Sequence, residues 1–83
     1  MLNADNLFLS TIKIGETVVI SSVKDSSLKV KLMEMGLIVG KRMTVLFRAP
    51  LGDPIAYDVE GYILSLRIDE ANQIGVKIQS PAY

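Results

Sequence analysis

Ile55-Ala56-Tyr57-Asp58-Val59-Glu60-Gly61-Tyr62-Ile63-Leu64-Ser65-Leu66 is the stretch that decides how this chain folds. Ile55, Tyr57 and Val59 alternate with Ala56, Asp58 and Glu60. Tyr62, Leu64 and Leu66 then alternate with Ile63, Ser65 and Arg67. A period of two sends successive side chains to opposite faces, so each run reads as a strand with one apolar face. Glu60-Gly61 between them is a hairpin turn. In place of the favoured Asn-Gly, it fits either a type I turn with Gly61 in a bulge or a type I′ turn.

The same pattern extends in both directions. Upstream, Ala49-Pro50-Leu51-Gly52-Asp53-Pro54 is a loop held stiff by two prolines. Before it, Arg42–Arg48 alternates, with Met43, Val45 and Phe47 on the expected core side. Arg42, Thr44 and Arg48 lie on the other side, and Leu46 breaks the pattern. Downstream, Ile68-Asp69-Glu70-Ala71-Asn72 has room for a single 3₁₀ turn. Ile74, Val76 and Ile78 then alternate with Gly75, Lys77 and Gln79 in another strand. Near the start, Thr17–Val23 is β-branched and apolar at both parities, so this strand is buried on both faces or bulged. Leu7-Phe8-Leu9 in the lead-in supplies at least one core residue.

One segment follows a different period. Leu28, Leu32 and Met35 recur at i, i+4 and i+7, which marks one face of a helix. Asp25-Ser26-Ser27 offers N-caps, and Gly36 offers a positive φ at the far end. Two turns of helix do not persist alone, so the stripe must be stabilised by burial against strands. The expected fold is mainly β, with five short strands and one short α-helix. Five strands in so few residues are best protected by curling into a small barrel, with the helix plugging one end. The 83 residues, 49% hydrophobic and 22% charged, suffice for one such domain spanning 1–83.

Composition excludes several functions. There is no Cys and no His. Thiolate and Ser-His-Asp chemistry, zinc ribbons and imidazole metal ligands are therefore ruled out. Nine basic residues balance nine acidic ones, so the charge excess that nucleic-acid binding needs is missing. No apolar run approaches the ~18 residues of a membrane span. Met1-Leu2-Asn3-Ala4-Asp5 lacks the basic and apolar regions of a signal peptide, and the expected location is the cytoplasm. Asp53, Asp58, Glu60, Asp69 and Glu70 are the carboxylates available to a cation. Ferrous iron favours imidazole beside carboxylate, so no metal site, cofactor or catalytic residue is expected.

Two features invite a partner instead. Val30 and Met33 fall on the helix side opposite the Leu28/Leu32/Met35 stripe, among Lys29, Lys31 and Glu34. Either Leu7-Phe8-Leu9 or the barrel wall covers them, or they face a partner. Pro50 and Leu51 stand at the tip of the stiff loop, where an apolar side chain is presented at low entropic cost.

The order of these elements resembles the FeoA family, small cytosolic proteins of the bacterial Feo ferrous-iron transport system. The resemblance runs from Leu9 to Ile78. It rests on Lys31-Leu32, Met35-Gly36-Leu37, Gly52-Asp53-Pro54-Ile55 and Leu66-Arg67 in sequence. Many members carry Pro before two turn glycines where this chain has Ile14 and Val39. The resemblance implies an SH3-like barrel. It also implies a non-catalytic accessory role exerted by binding the cytoplasmic, GTPase-bearing region of the permease FeoB. Self-association is also compatible with it. The alternative is a regulatory SH3-like domain that works with a metal-dependent transcriptional repressor.

Overall fold

The computed structural model describes residues 7–79. The lead-in residues before Leu7 and the Ser80-Pro81-Ala82-Tyr83 tail lie outside them. The strands are β1 (Leu7–Phe8), β2 (Thr17–Val23), β3 (Arg42–Arg48), β4 (Ile55–Asp58), β5 (Ile63–Leu66) and β6 (Ile74–Ile78). The helices are α1 (Lys29–Glu34) and α2 (Ile68–Ala71), and a 3₁₀ turn covers Leu9–Thr11.

The β4–β5 hairpin is the one read from sequence, with Asp58 opposite Ile63 and Ile55 opposite Leu66. Its turn is resolved by the backbone. Glu60 has φ +48° and Gly61 φ +114°, and Val59 N–H donates to Tyr62 C=O at 2.7 Å. Positive φ at both central residues is the type I′ signature, whose twist matches that of the flanking strands.

All strand pairs are antiparallel, and the hydrogen-bonded order is β1-β6-β2-β3-β4-β5. This corrects the expected five-stranded closed barrel to an open sheet of six strands among the described residues. The extra strand is the two-residue β1, which pairs with β6 at Val76 and Gly75. Where a barrel would join its ends, α2 packs against both β5 and the 3₁₀ turn that follows β1. Ser10 Oγ donates to Asn72 Oδ1 across that junction. The expectation of a single helix is likewise corrected. The turn after β5 is α-helical because Glu70 Oε1 accepts from Arg67 N–H at 2.9 Å and Asp53 Oδ1 from Ile68 N–H at 3.0 Å. These bonds satisfy donors that a helix start leaves orphaned.

Two irregularities bend the sheet. The β2–β6 register shifts between Ile20 and Ser22, so the bulge open at the sequence level is real. Val18 and Ile20 are buried before it, and Val23 packs on the core after it. The β3–β4 register shifts between Val45 and Phe47. That second bulge is the physical meaning of the misfit at Leu46. It turns Phe47 out to 58% exposure, whereas simple alternation put this residue in the core with Met43 and Val45. Tyr62 and Ile78, at strand ends, are also exposed rather than buried.

The curled sheet closes over one cluster of buried residues drawn from β2, β3, β4, β5, β6, both helices and the 3₁₀ turn. Leu32 is fully buried in it, with Leu28 and Met35 packed at its margin, as the helical period requires. Ser26 works two residues ahead of the true cap, Leu28: its Oγ accepts from Leu28 N–H at 3.2 Å. At the other end Leu37 N–H donates to Leu32 C=O at 3.0 Å, and Gly36 N–H to Met33 C=O at 2.9 Å. With Gly36 at φ +89°, this is a Schellman motif, and its usual apolar contact is supplied by Leu32 and Leu37, both buried. A Cβ at Gly36 would also stand 2.8 Å from Tyr62 Oη, which donates to Met35 C=O.

Leu32→Ala removes the centre of the helix stripe from a site with no exposure. The expected cost is ~2–5 kcal/mol, close to the whole stability of a small domain. Chemical denaturation checks it. A midpoint near that of the unsubstituted chain would contradict the core assignment.

Candidate partner-binding face

The Schellman turn separates neighbouring apolar residues. Leu32 and Leu37 go inward, while Met33, Ile38 and Val39 go outward. Met33, Ile38 and Val39 line a groove of about 440 Å³ with Lys29 and with Ser21, Ser22 and Val23 from the β2 bulge. The bulge and the helix cap thus form its two walls. Val30 is 65% exposed and Met33 49% exposed. Leu7-Phe8-Leu9 does not cover them. Leu7 and Phe8 are committed to β6 and Leu9 to the core, which corrects that reading. Val30 lies on α1 outside the groove lining. Pro50 and Leu51 stand apart on the β3–β4 loop, with Leu51 97% exposed. That loop is fixed by Ala49 N–H to Pro54 C=O at 3.0 Å and by Asp53 to the start of α2. Ile38 and Val39 were not among the residues singled out from the sequence. The available signal was three consecutive apolar residues, Leu37-Ile38-Val39, between two glycines, where a tight turn cannot bury all three.

A second, polar cavity of about 400 Å³ is lined by Thr17, Arg42, Thr44, Asp58, Glu60 and Gln79. Its polar groups are largely engaged in holding the local structure. Thr17 and Thr44 hydroxyls bond each other at 2.8 Å, Glu60 Oε1 accepts from Arg42 N–H at 2.9 Å, and Asp58 Oδ1 accepts from Gly61 N–H at 3.2 Å. Asp53 and Glu70 cap α2 as described. No three acidic side chains gather into a cation cage among the described residues. Tyr57 is buried, and desolvation pushes its phenol up to about 12 against the opposing pull of Arg48. It therefore stays protonated at neutral pH.

Lys31 Nζ lies 2.8 Å from Glu70 Oε2 and ties α1 to α2. The hydrogen bond from Lys31, and then that from Arg67 N–H, hold the Glu70 carboxyl below its ordinary value. Among the described residues no helix is long and apolar enough to cross a membrane.

A bulged, curled antiparallel sheet with two short helices around one core defines a small mainly β module of the SH3-like kind. The chain belongs to the FeoA domain family, whose model matches residues 8–78. It is 37% identical over 73 residues to an Fe(2+) transport protein A/Fe(2+) transporter FeoB fusion protein of Porphyromonas gingivalis. That match covers 87% of this chain but 9% of the fusion protein, so the chain spans a small part of its curated relative. The solution structure of a FeoA-like protein from Clostridium acetobutylicum superposes with TM-score 0.86 at 32% identity, covering 95% of this chain and 93% of that one. Stenotrophomonas maltophilia FeoA, solved with zinc and described as a prokaryotic SH3 domain protein, matches at TM-score 0.75 and 25% identity, covering 86% and 89%. A manganese-dependent transcriptional repressor shares the fold over 37% of its chain, with TM-score 0.83 at 19% identity.

A depressed carboxyl stabilises the fold above its unfolded value, 4.5, and loses that contribution as pH falls through its folded value. Glu70→Gln should therefore melt below the unsubstituted chain at neutral pH and converge with it in acid below 4.5. Lys31 is largely exposed, so the gap stays small, about 1 kcal/mol or less. Thermal melts across pH check it. A gap that persists in acid would contradict the assignment.

Proposed function

We propose that the chain is a non-catalytic accessory protein of ferrous-iron uptake, acting in the cytoplasm by binding the GTPase-bearing region of FeoB. The observation that carries this reading is the fusion of a FeoA domain and FeoB in one P. gingivalis polypeptide. Fusion holds two modules at high effective concentration, which suits modules that meet when separate. The groove between α1 and the β2 bulge supports the reading from the other side. Its Met33, Ile38 and Val39 are large, apolar and exposed, and the polar Lys29, Ser21 and Ser22 rim them. Apolar centres with polar rims are how protein interfaces are built. Iron is then cargo handled by the permease, and this chain contributes recognition. Val30 extends the face along α1, and Pro50 and Leu51 form a second apolar point on the loop. The repressor-associated reading is supported by likeness of fold alone.

Val30→Ser with Met33→Glu should leave the melting midpoint nearly unchanged, because exposed substitutions move stability by about 0.5 kcal/mol or less. Binding to the soluble cytoplasmic part of FeoB should weaken by more than ~1 kcal/mol if the face lies near the interface centre. Calorimetry with and without guanine nucleotide measures it, with Leu51→Ser as the comparison. A stable double variant that binds like the parent chain would overturn this face.

A further inference from the structure

The open sheet has two edges, and they are unequal. β1 is two residues long, the kind of short edge that resists further pairing. β5 is four residues long and carries neither Lys nor Pro, the common guards of an edge. Its outward hydrogen-bonding groups follow from the register. Val59 and Tyr62 form the close pair at the turn, so bonded and non-bonded pairs alternate from there. Leu64 and Leu66 direct their backbone groups at β4, and Ile63 and Ser65 direct theirs away from the sheet. Ile63 and Ser65 make no hydrogen bond to any other described segment. Both residues are exposed, Ile63 to 67%.

We propose that β5 is a docking edge for a second copy of this chain, the two β5 strands pairing antiparallel about a two-fold axis at Leu64. In that register Ile63 lies opposite Ser65 of the other copy, and each such pair exchanges two hydrogen bonds through the groups that β4 leaves unused. Charge selects this arrangement. Glu60 stands before β5 and Arg67 after it. An antiparallel pair brings acid near base at both ends, while a parallel pair would set like against like. The chain's zero net charge adds no repulsion between copies. An isologous contact of this kind closes on itself as a dimer and does not propagate. The contact is far smaller than the ~1,600 Å² of a standard interface, so the dimer is weak and concentration-dependent.

Sedimentation velocity across a concentration series into the millimolar range tests the proposal. The parent chain should shift from monomer to dimer. Ser65→Pro deletes an outward N–H that no intramolecular bond uses, and Ile63→Lys adds an edge guard. Each should weaken the dimer at least tenfold with native circular dichroism. Leu64→Cys, in a chain without cysteine, should cross-link to itself under mild oxidation, because the pair at the axis has Cα atoms ~4.5 Å apart. Phe8→Cys on the opposite edge should not. A parent chain that stays monomeric throughout overturns the proposal. So does a dimer that Ile63→Lys leaves intact. Loss of FeoB binding in Ile63→Lys, with no self-association in the parent, would assign the edge to a different strand and overturn the second-copy reading.

Discussion

The hydrogen bond from Leu37 N–H to Leu32 C=O is where the two sides of this molecule are divided. It ends α1 and reverses the chain through Gly36. Its two residues become part of the core, and their neighbours Met33, Ile38 and Val39 are left outside. The positive φ at Gly36 and the closeness of Tyr62 Oη leave little room for a side chain there. The hairpin tip and the helix end are consequently built for each other. Tyr62, the residue that follows the type I′ turn, closes onto Met35 C=O.

The sheet supplies the rest of the frame by being irregular at two places. A regular six-stranded sheet would leave one face too flat to enclose a core of this size. The bulges in β2 and β3 bend it. The first also lifts Ser21 and Ser22 into the wall of the groove. The sheet does not close, because residues that would carry β5 towards β1 form α2 instead. Lys31, Asp53 and Glu70 then bind α1, the β3–β4 loop and α2 to one another. Of the carboxylates that could suggest a cation site in an iron-linked family, Asp53, Asp58, Glu60 and Glu70 have local structural partners here.

Much of this was legible in the residues. The alternation in Ile55–Asp58 and Ile63–Leu66, the Leu28/Leu32/Met35 period and Gly36 each carry their own geometry. What was not legible depends on long-range pairing. Periodicity cannot say that Leu46 is a bulge, and so it placed Phe47 on the wrong side. The sixth strand of the sheet is β1, whose two residues pair only because β6 is beside them. The capping of α2 by Asp53 joins positions fifteen residues apart, beyond any local pattern. At the candidate face, Val30 and Met33 were visible as a second stripe on a short helix. Ile38 and Val39 were not, since their exposure follows from how Leu37 is buried.

The residues excluded from the core by the α1 cap are the face proposed to meet FeoB. Titrating isotope-labelled protein with the soluble cytoplasmic part of FeoB and following backbone and methyl resonances tests it directly. The largest perturbations should fall on Met33, Ile38 and Val39 and on the Ser21–Ser22 bulge, with the buried β4 core undisturbed. Saturable perturbations confined to the Pro50–Leu51 loop or to β5, with the groove silent, would contradict it.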